Sequence, residues 1–206
     1  MKSEVYNCDC MELMAKYPDG YFELAIVDPP YRDTNAPTKD MRINGSMKSL
    51  DGRPSKEYFN ELLRVSKNQI IWGANNFQLP QFKGFVVWKK KTISENFTMS
   101  MCEIASISEN LGTTSKWIEI APQGTSKDPR IHPTQKPVAL YKWLLDNYAK
   151  KGDKIFDTHL GSGSSRIACH DFKFDFVGCE LDKEYFDAME DRFKKHTSQI
   201  SIFDII

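Results

Sequence analysis

The chain predicts a doubly wound α/β domain around a central, mostly parallel sheet, and three observations predict it. Short apolar runs recur near residues 24–27, 69–72, 84–88, 103–107, 154–157 and 175–179, with the length and bulk of buried strands. The first, Leu24-Ala25-Ile26-Val27, stops at Asp28-Pro29-Pro30, where neither proline can donate to a ladder. The run Lys154-Ile155-Phe156-Asp157 passes through a glycine-rich turn into a helix, the join at which open α/β sheets bind ligands beyond their carboxyl ends. A 206-residue chain with 40% hydrophobic residues fills one such domain, residues 1–198, and leaves little for another.

The turn after the first strand carries chemistry. Asp28 supplies carboxylate acceptors and Pro29 a free backbone carbonyl. Beyond Pro30, Tyr31 offers a ring face on which a base drawn from its stack could lie. An adenine amine is a poor nucleophile because its lone pair is shared with the ring. Accepting both of its hydrogens would localise that pair as it attacks the methyl of S-adenosylmethionine, a gain larger in the transition state than in the ground state. An isolated Asp-Pro-Pro-Tyr is also what an ordinary strand-to-loop turn produces, so the rest of the chain has to decide.

Residues 32–54 form a long irregular segment rich in Asp, Asn, Gly, Lys and Ser, and loops beyond ~15 residues in compact domains are usually functional or disordered. Lys39, Arg42, Lys48, Arg53 and Lys56 populate it and its border. After the next two strands, Lys89-Lys90-Lys91 opens a polar stretch to Phe97, a pattern most often found on solvated surface. A second irregular segment runs over 109–130. These two segments are the candidate DNA-recognition loops, and neither reads as a helix-turn-helix or a finger.

His132-Pro133-Thr134-Gln135-Lys136-Pro137 then leads into an amphipathic helix with Val138, Tyr141, Leu144, Leu145 and Tyr148 at helical spacing and Gly152 as its stop. The strand 154–157 follows, then the turn Thr158-His159-Leu160-Gly161-Ser162-Gly163-Ser164-Ser165 and a helix through Arg166, Ile167, Ala168 and Cys169. Glycines there let a ligand approach the backbone. The strand 175–179 delivers Glu180, an acid about twenty residues on that could take both hydroxyls of a ribose. A last helix spans Lys183 to Lys195. Strand, glycine turn, helix, strand and acid make a nucleoside-cofactor half-site, which alone does not separate a methyl donor from a dinucleotide.

Asp-Pro-Pro-Tyr, then His-Pro-Thr-Gln-Lys-Pro, then the Asp157–Ser165 turn, then an acid after the next strand resembles the β-group of DNA amino-methyltransferases, acting on adenine N6 or cytosine N4, in which the catalytic motif precedes the cofactor motif. The resemblance covers nearly the whole chain, with Ile70–Phe77, Val86–Lys89 and Cys102–Ala105 similar to the family's middle strands and loops. It implies a Rossmann-like, S-adenosylmethionine-dependent methyltransferase fold with permuted motif order. It also implies that Asp28, Pro29, Pro30 and Tyr31 face the target base. At the donor's adenine end it places Asp9, as acceptor for the amine, and Cys10, within Asn7-Cys8-Asp9-Cys10-Met11. Thr134 and Lys136 fall near the methionine end, with Asp28. Asp157, His159, Gly161, Ser162, Gly163 and Ser165 follow the donor along the turn, and Glu180 with Leu181 takes the ribose. The chain departs from the family's usual Pro and Phe at Thr158 and His159. His159 reads as a packing substitution without acid–base work, and His132 as a residue that shapes its turn.

Asp at the first catalytic position favours adenine, since cytosine enzymes of this resemblance more often carry Ser. Cytosine N4 is the alternative, because the same two acceptors and ring would serve it. An RNA or protein amine, or a non-catalytic scaffold on DNA or a clamp, are further alternatives. Zero formal net charge argues against indiscriminate nucleic-acid binding. The small recognition segments imply a short site, as in restriction–modification, or contacts borrowed from a second subunit in a homodimer. Five cysteines without a CxxC pair, and no signal peptide, point to a reducing bacterial cytoplasm, nucleoid-associated or phage-encoded. Cys8 and Cys10 are too close for a zinc pair, so neither a metal nor a covalent cysteine nucleophile is expected. No apolar run approaches membrane-spanning length. In the tail 199–206, Gln199-Ile200-Ser201-Ile202-Phe203 resembles the pentapeptide that docks bacterial replication proteins on the sliding clamp, while a tail folded back on its own domain explains the same residues.

Overall fold

Apolar side chains alternate between the two faces of one sheet, and both faces are covered. The computed structural model describes residues 1–31, 52–96, 99–122 and 128–198. Its strands are β1 (Ser3–Asn7), β2 (Leu24–Val27), β3 (Gln69–Trp72), β4 (Gly84–Lys90), β5 (Cys102–Ile107), β6 (Lys116–Ile120), β7 (Lys154–Asp157) and β8 (Asp175–Glu180). They lie in the order β1-β8-β7-β2-β3-β5-β4-β6. Five of the seven pairings are parallel; β5 pairs antiparallel with both neighbours and so runs against the other strands.

The period of two sorts the core. Leu24, Ile26, Ile70, Trp72, Ile155 and Phe176 join one buried cluster with α3 (Val138–Tyr148) and α4 (Ser164–Phe172). Ala25, Val27, Ile71, Phe156 and Val177 join the other with α1 (Cys10–Met14) and α2 (Lys56–Val65). Strands buried on both sides need apolar residues at every position, which is why the sequence shows continuous runs there.

All six expected strands are present, and β1 and β6 are added. Both additions are edge strands with polar residues between apolar ones, Ser-Glu-Val-Tyr-Asn and Lys-Trp-Ile-Glu-Ile, so they lack the continuous signature. The strand β6 and a 3-10 turn, Glu109–Leu111, correct the reading of 109–130 as wholly irregular. The residues 32–51 and 123–127 of the two candidate loops, and the clamp-like tail 199–206, lie outside the described residues.

The helix α3 buries Leu140, Tyr141, Leu144, Leu145 and Tyr148, as its spacing predicts. It ends earlier than expected: Ala149 is extended and donates its N–H to Leu145 O at 2.9 Å. Gly152, at φ 94°, instead shapes the following turn into β7. The last helix, α5 (Lys183–Thr197), is capped by Asp182, whose Oδ1 accepts the Glu184 and Tyr185 N–H groups at 2.8 and 3.1 Å. Glu184 in its first turn and Lys194, Lys195 and His196 in its last suit the helix dipole. No helix among the described residues is long and apolar enough to cross a membrane.

Candidate active site

The parallel neighbours β7 and β2 end side by side, so Asp28 and the turn after Asp157 open onto one edge of the sheet. A cleft of about 790 Å³ lies there, within the size range of small-molecule sites. It is lined by Cys8 to Met11, Asp28 to Tyr31, Glu103, His132, Thr134 to Lys136, Thr158 to Ser162, and Glu180 to Lys183. Gly52 and Pro54, at the end of the first candidate loop, and Ser55, which precedes α2, reach it too.

The Asp28–Tyr31 turn is held by its neighbours. Asp28 Oδ1 accepts the Tyr31 hydroxyl at 2.5 Å, and Asp28 Oδ2 accepts the Lys136 ammonium. Lys136, expected beside the methionine end of a donor, thus sits on the carboxylate of Asp28. Its ammonium also lies 3.1 Å from Glu103 Oε2 and 5.6 Å from the centre of the Trp72 ring. Glu103 in turn meets Lys90 at 2.7 Å. The Lys89-Lys90-Lys91 run is therefore split: Lys90 is buried in this network, while its two neighbours are exposed.

Electrostatics follow from that packing. Burial raises the pKa of Asp28, with Lys136 opposing it. Burial works against the charge on Lys136, but Asp28 and Glu103 outweigh it and raise its pKa. Burial would also raise Glu103, yet Lys136 and Lys90 prevail and hold it at about 2.

The glycine turn is organised from behind. Asp157 is buried beneath it, accepting the His159 N–H at 3.0 Å and the Ser165 hydroxyl at 2.6 Å, and burial pushes its carboxyl up to about 7. Asp157 and Ser165 therefore position the turn, and neither lines the cleft. Gly163 does not line it either. At φ 73° it caps α4, and a Cβ there would fall 2.4 Å from Met189, so close packing against α5 requires glycine. Gly161, Ser162, Leu181 and Glu180 do line the cleft. Glu180 accepts the Gly161 N–H at 2.8 Å on one oxygen and the Asp182 N–H at 3.0 Å on the other, leaving lone pairs on both.

At the far end Asp9 caps α1, its Oδ1 accepting the Met11 N–H at 2.7 Å, and Asn7 ties that segment to β8 through Glu180 O and Leu181 O. Burial pushes the Cys10 thiol up to about 12, which leaves it unreactive.

The two histidines that line the cleft, His132 and His159, are neutral. Burial lowers His159 to about 4, and its Nδ1 lies 2.8 Å from the Thr158 hydroxyl, which itself meets Tyr58 at 2.6 Å. Its ring stands edge-on to Tyr58 at 5.5 Å, an aromatic packing role. Burial, with Lys136 and Arg130, lowers His132 to about 3, so its Nδ1 can accept the Thr134 N–H at 3.3 Å while the ring packs on Tyr185 at 4.4 Å.

Glu103, Lys90 and Tyr58 are site residues that sequence reasoning passed over. Glu103 and Lys90 carried a signal, a charge at the edge of each of two apolar runs. Tyr58 lies on α2, a helix with a buried stripe of Tyr58, Phe59, Leu62 and Val65.

The family model for DNA methylases of the N6/N4 methyltransferase type matches residues 58–191. The type II methyltransferase M.HpaI of Haemophilus parainfluenzae is 32% identical over 81 residues, which are 39% of this chain and a quarter, 25%, of that protein. YubD of Escherichia coli (strain K12), named as a methylase, is 24% identical over 200 residues, covering 89% of this chain and 87% of its own. Among solved structures, the M1.HpyAVI–SAM complex superposes with a TM-score of 0.57 at 19% identity, over 92% of this chain and 98% of that one. The cytosine-N4-specific PvuII DNA methyltransferase does so with a TM-score of 0.65 at 12% identity, over 96% and 90%. These likenesses extend to the fold: a mixed eight-stranded sheet with helices on both faces.

Proposed function

The chain belongs to the DNA methylase family of the N6-adenine/N4-cytosine type, and from that premise we propose that it methylates the 6-amino group of adenine in DNA, using S-adenosylmethionine. The observation that carries the proposal is the shared cleft, in which Asp28, Pro29 and Tyr31 stand beside Gly161 and Glu180.

The residues fit the donor. Five carboxylates, Asp9, Asp28, Glu103, Glu180 and Asp182, against two ammonium groups, Lys136 and Lys183, line the cleft, a balance suited to a sulfonium cation. The free lone pairs of Glu180 suit two ribose hydroxyls, and the second oxygen of Asp9 suits an adenine amine. When bound, S-adenosylmethionine supplies an electrophilic methyl group.

Everything else falls to the chain. Asp28 and the Pro29 carbonyl each accept one hydrogen of the target amine, which turns its lone pair toward the methyl. The Tyr31 ring supports the base taken out of its stack. Both half-sites stand on adjacent strand ends, an arrangement that would bring the donor's methyl to the target amine.

The test is transfer of labelled methyl from S-adenosylmethionine to unmethylated genomic DNA, followed by nucleoside mass spectrometry, with Asp28→Ala as control. Label in 6-methyladenine that vanishes in the control is the expected result. Label in 4-methylcytosine would keep the mechanism and change the base. Absence of label from a folded, donor-binding protein would overturn the proposal.

A further inference from the structure

Four charged groups alternate in sign through the floor of the cleft: Asp28, Lys136, Glu103 and Lys90. Lys136 contacts Asp28 Oδ2 and lies 3.1 Å from Glu103 Oε2, and Lys90 lies 2.7 Å from Glu103 Oε1. The Tyr31 hydroxyl is shared in the same way, 2.5 Å from Asp28 Oδ1 and 3.3 Å from Glu103 Oε2. Asp28 thus already carries one donor on each oxygen, so a target amine has to share one of those oxygens with the donor already there or displace it.

We propose that Glu103 is a positioning residue for the reaction assigned above, a second acceptor that receives the Tyr31 hydroxyl and shares the Lys136 ammonium when Asp28 turns to the target amine. Tyr31 can then leave Asp28 without burying an unpaired hydroxyl. Lys136 can loosen its hold without becoming an unpaired buried cation. Both moves end on Glu103 Oε2, an oxygen already within reach of each group. Lys90 keeps Glu103 in place from the other side, and the chain of four is neutral overall. This inference rests on the proposed methyl transfer, since it assigns a role beside the same carboxylate.

Loss of the Glu103 charge moves the Asp28 titration whichever role Glu103 has, so the titration tests the shared network and the Tyr31→Phe background separates a receiving Glu103 from a simple counter-ion. The titratable groups around Asp28 are Lys136 before α3, Glu103 on β5, Tyr31 in its own turn, Asp157 on β7 and Tyr141 on α3. Glu103 raises the proton affinity of Asp28 and Lys136 lowers it. In Glu103→Gln the ammonium belongs to Asp28 alone, so Asp28 titrates at lower pH. In Lys136→Met it titrates at higher pH, because burial and neighbouring carboxylates are then opposed by the Tyr31 hydroxyl alone.

The experiment follows the carboxyl carbons of the ligand-free, labelled protein by NMR across pH, with Asp28 assigned by its absence in Asp28→Asn, and measures the kcat/KM profile of the same variants. Opposite displacements of the Asp28 titration in Glu103→Gln and Lys136→Met are expected. So is a fall of about tenfold or more in kcat for Glu103→Gln that shrinks in a Tyr31→Phe background, where there is no hydroxyl to receive. A Glu103→Gln protein that titrates and turns over like the wild type overturns the inference. If Glu103→Gln fails to fold, Lys136→Met carries the decision: an Asp28 titration unmoved there also overturns it. The titration needs no substrate, so a wild type without methyl transfer would count against the proposed function alone.

Discussion

Gly73 and Tyr31 occupy one another's space: a Cβ on Gly73 would fall 2.2 Å from Tyr31 Cε1. Gly73 stands just after β3, at φ 70°, with its N–H donated to Ile104 O at 2.8 Å, so the end of β3 and the start of β5 together make the wall behind the Tyr31 ring. Alanine at 73 should cost about 1–2 kcal/mol in left-handed backbone strain and push the ring off its place. Gly73→Ala is expected to bind the donor with wild-type affinity by calorimetry while methyl transfer falls ten- to a hundredfold. Turnover within twofold of the wild type would mean that the ring's position is unimportant.

Tyr31 itself offers a ring and a hydroxyl, and the two are separable. Stacking of a base on an aromatic ring contributes about 1–3 kcal/mol, so Tyr31→Ala should lose roughly 5- to 150-fold in kcat/KM. Tyr31→Phe keeps the ring and frees Asp28 Oδ1 from its present partner, and should stay within about fivefold. Equal losses in steady-state assays of the two variants would show that the hydroxyl takes part in the chemistry.

His159→Phe tests the departure at the glycine turn. The Thr158 hydroxyl keeps Tyr58 as partner when the imidazole is removed, so nothing buried is stranded. An aromatic pair with Tyr58 adds about 0.5–1.5 kcal/mol to folding in the free and donor-bound forms alike, so donor affinity and turnover should both stay close to the wild type. A drop of tenfold or more in turnover at unchanged donor affinity would give His159 a chemical role.

What the sequence made legible was local. Leu24 to Val27 and Lys154 to Asp157 announce buried strands because both faces are covered, and proline and glycine mark where they stop. The stripe from Val138 to Tyr148 is legible because a helix repeats it within one turn. The partnership of Glu103 with Lys90 was not, since it depends on register: Glu103 lies opposite Trp88 on an antiparallel strand, two residues from Lys90, and Lys136 reaches Glu103 from the turn before α3. Asp157 and Gly163 stand in a motif that resembles a cofactor turn, yet they support it from below, a distinction that burial makes and spacing does not.

Asp157 should make stability depend on pH in a distinctive way. Its carboxyl is raised to about 7 in the folded protein against roughly 3.9 unfolded, so the folded state binds the proton more tightly. Its contribution is therefore fully present below about pH 4 and is lost as pH rises through about 7, by up to roughly 4 kcal/mol. An amide cannot ionise, and asparagine still accepts the His159 N–H through its oxygen, while the Ser165 hydroxyl can turn to accept from the amide nitrogen. Urea unfolding of the wild type and Asp157→Asn between pH 5 and 8 isolates this group, because every other carboxylate is common to both. The variant should gain on the wild type from pH 5 to about 7, level off above it and exceed it at pH 8. A constant difference from pH 5 to 8 would place the Asp157 proton equilibrium outside the window and refute the assignment.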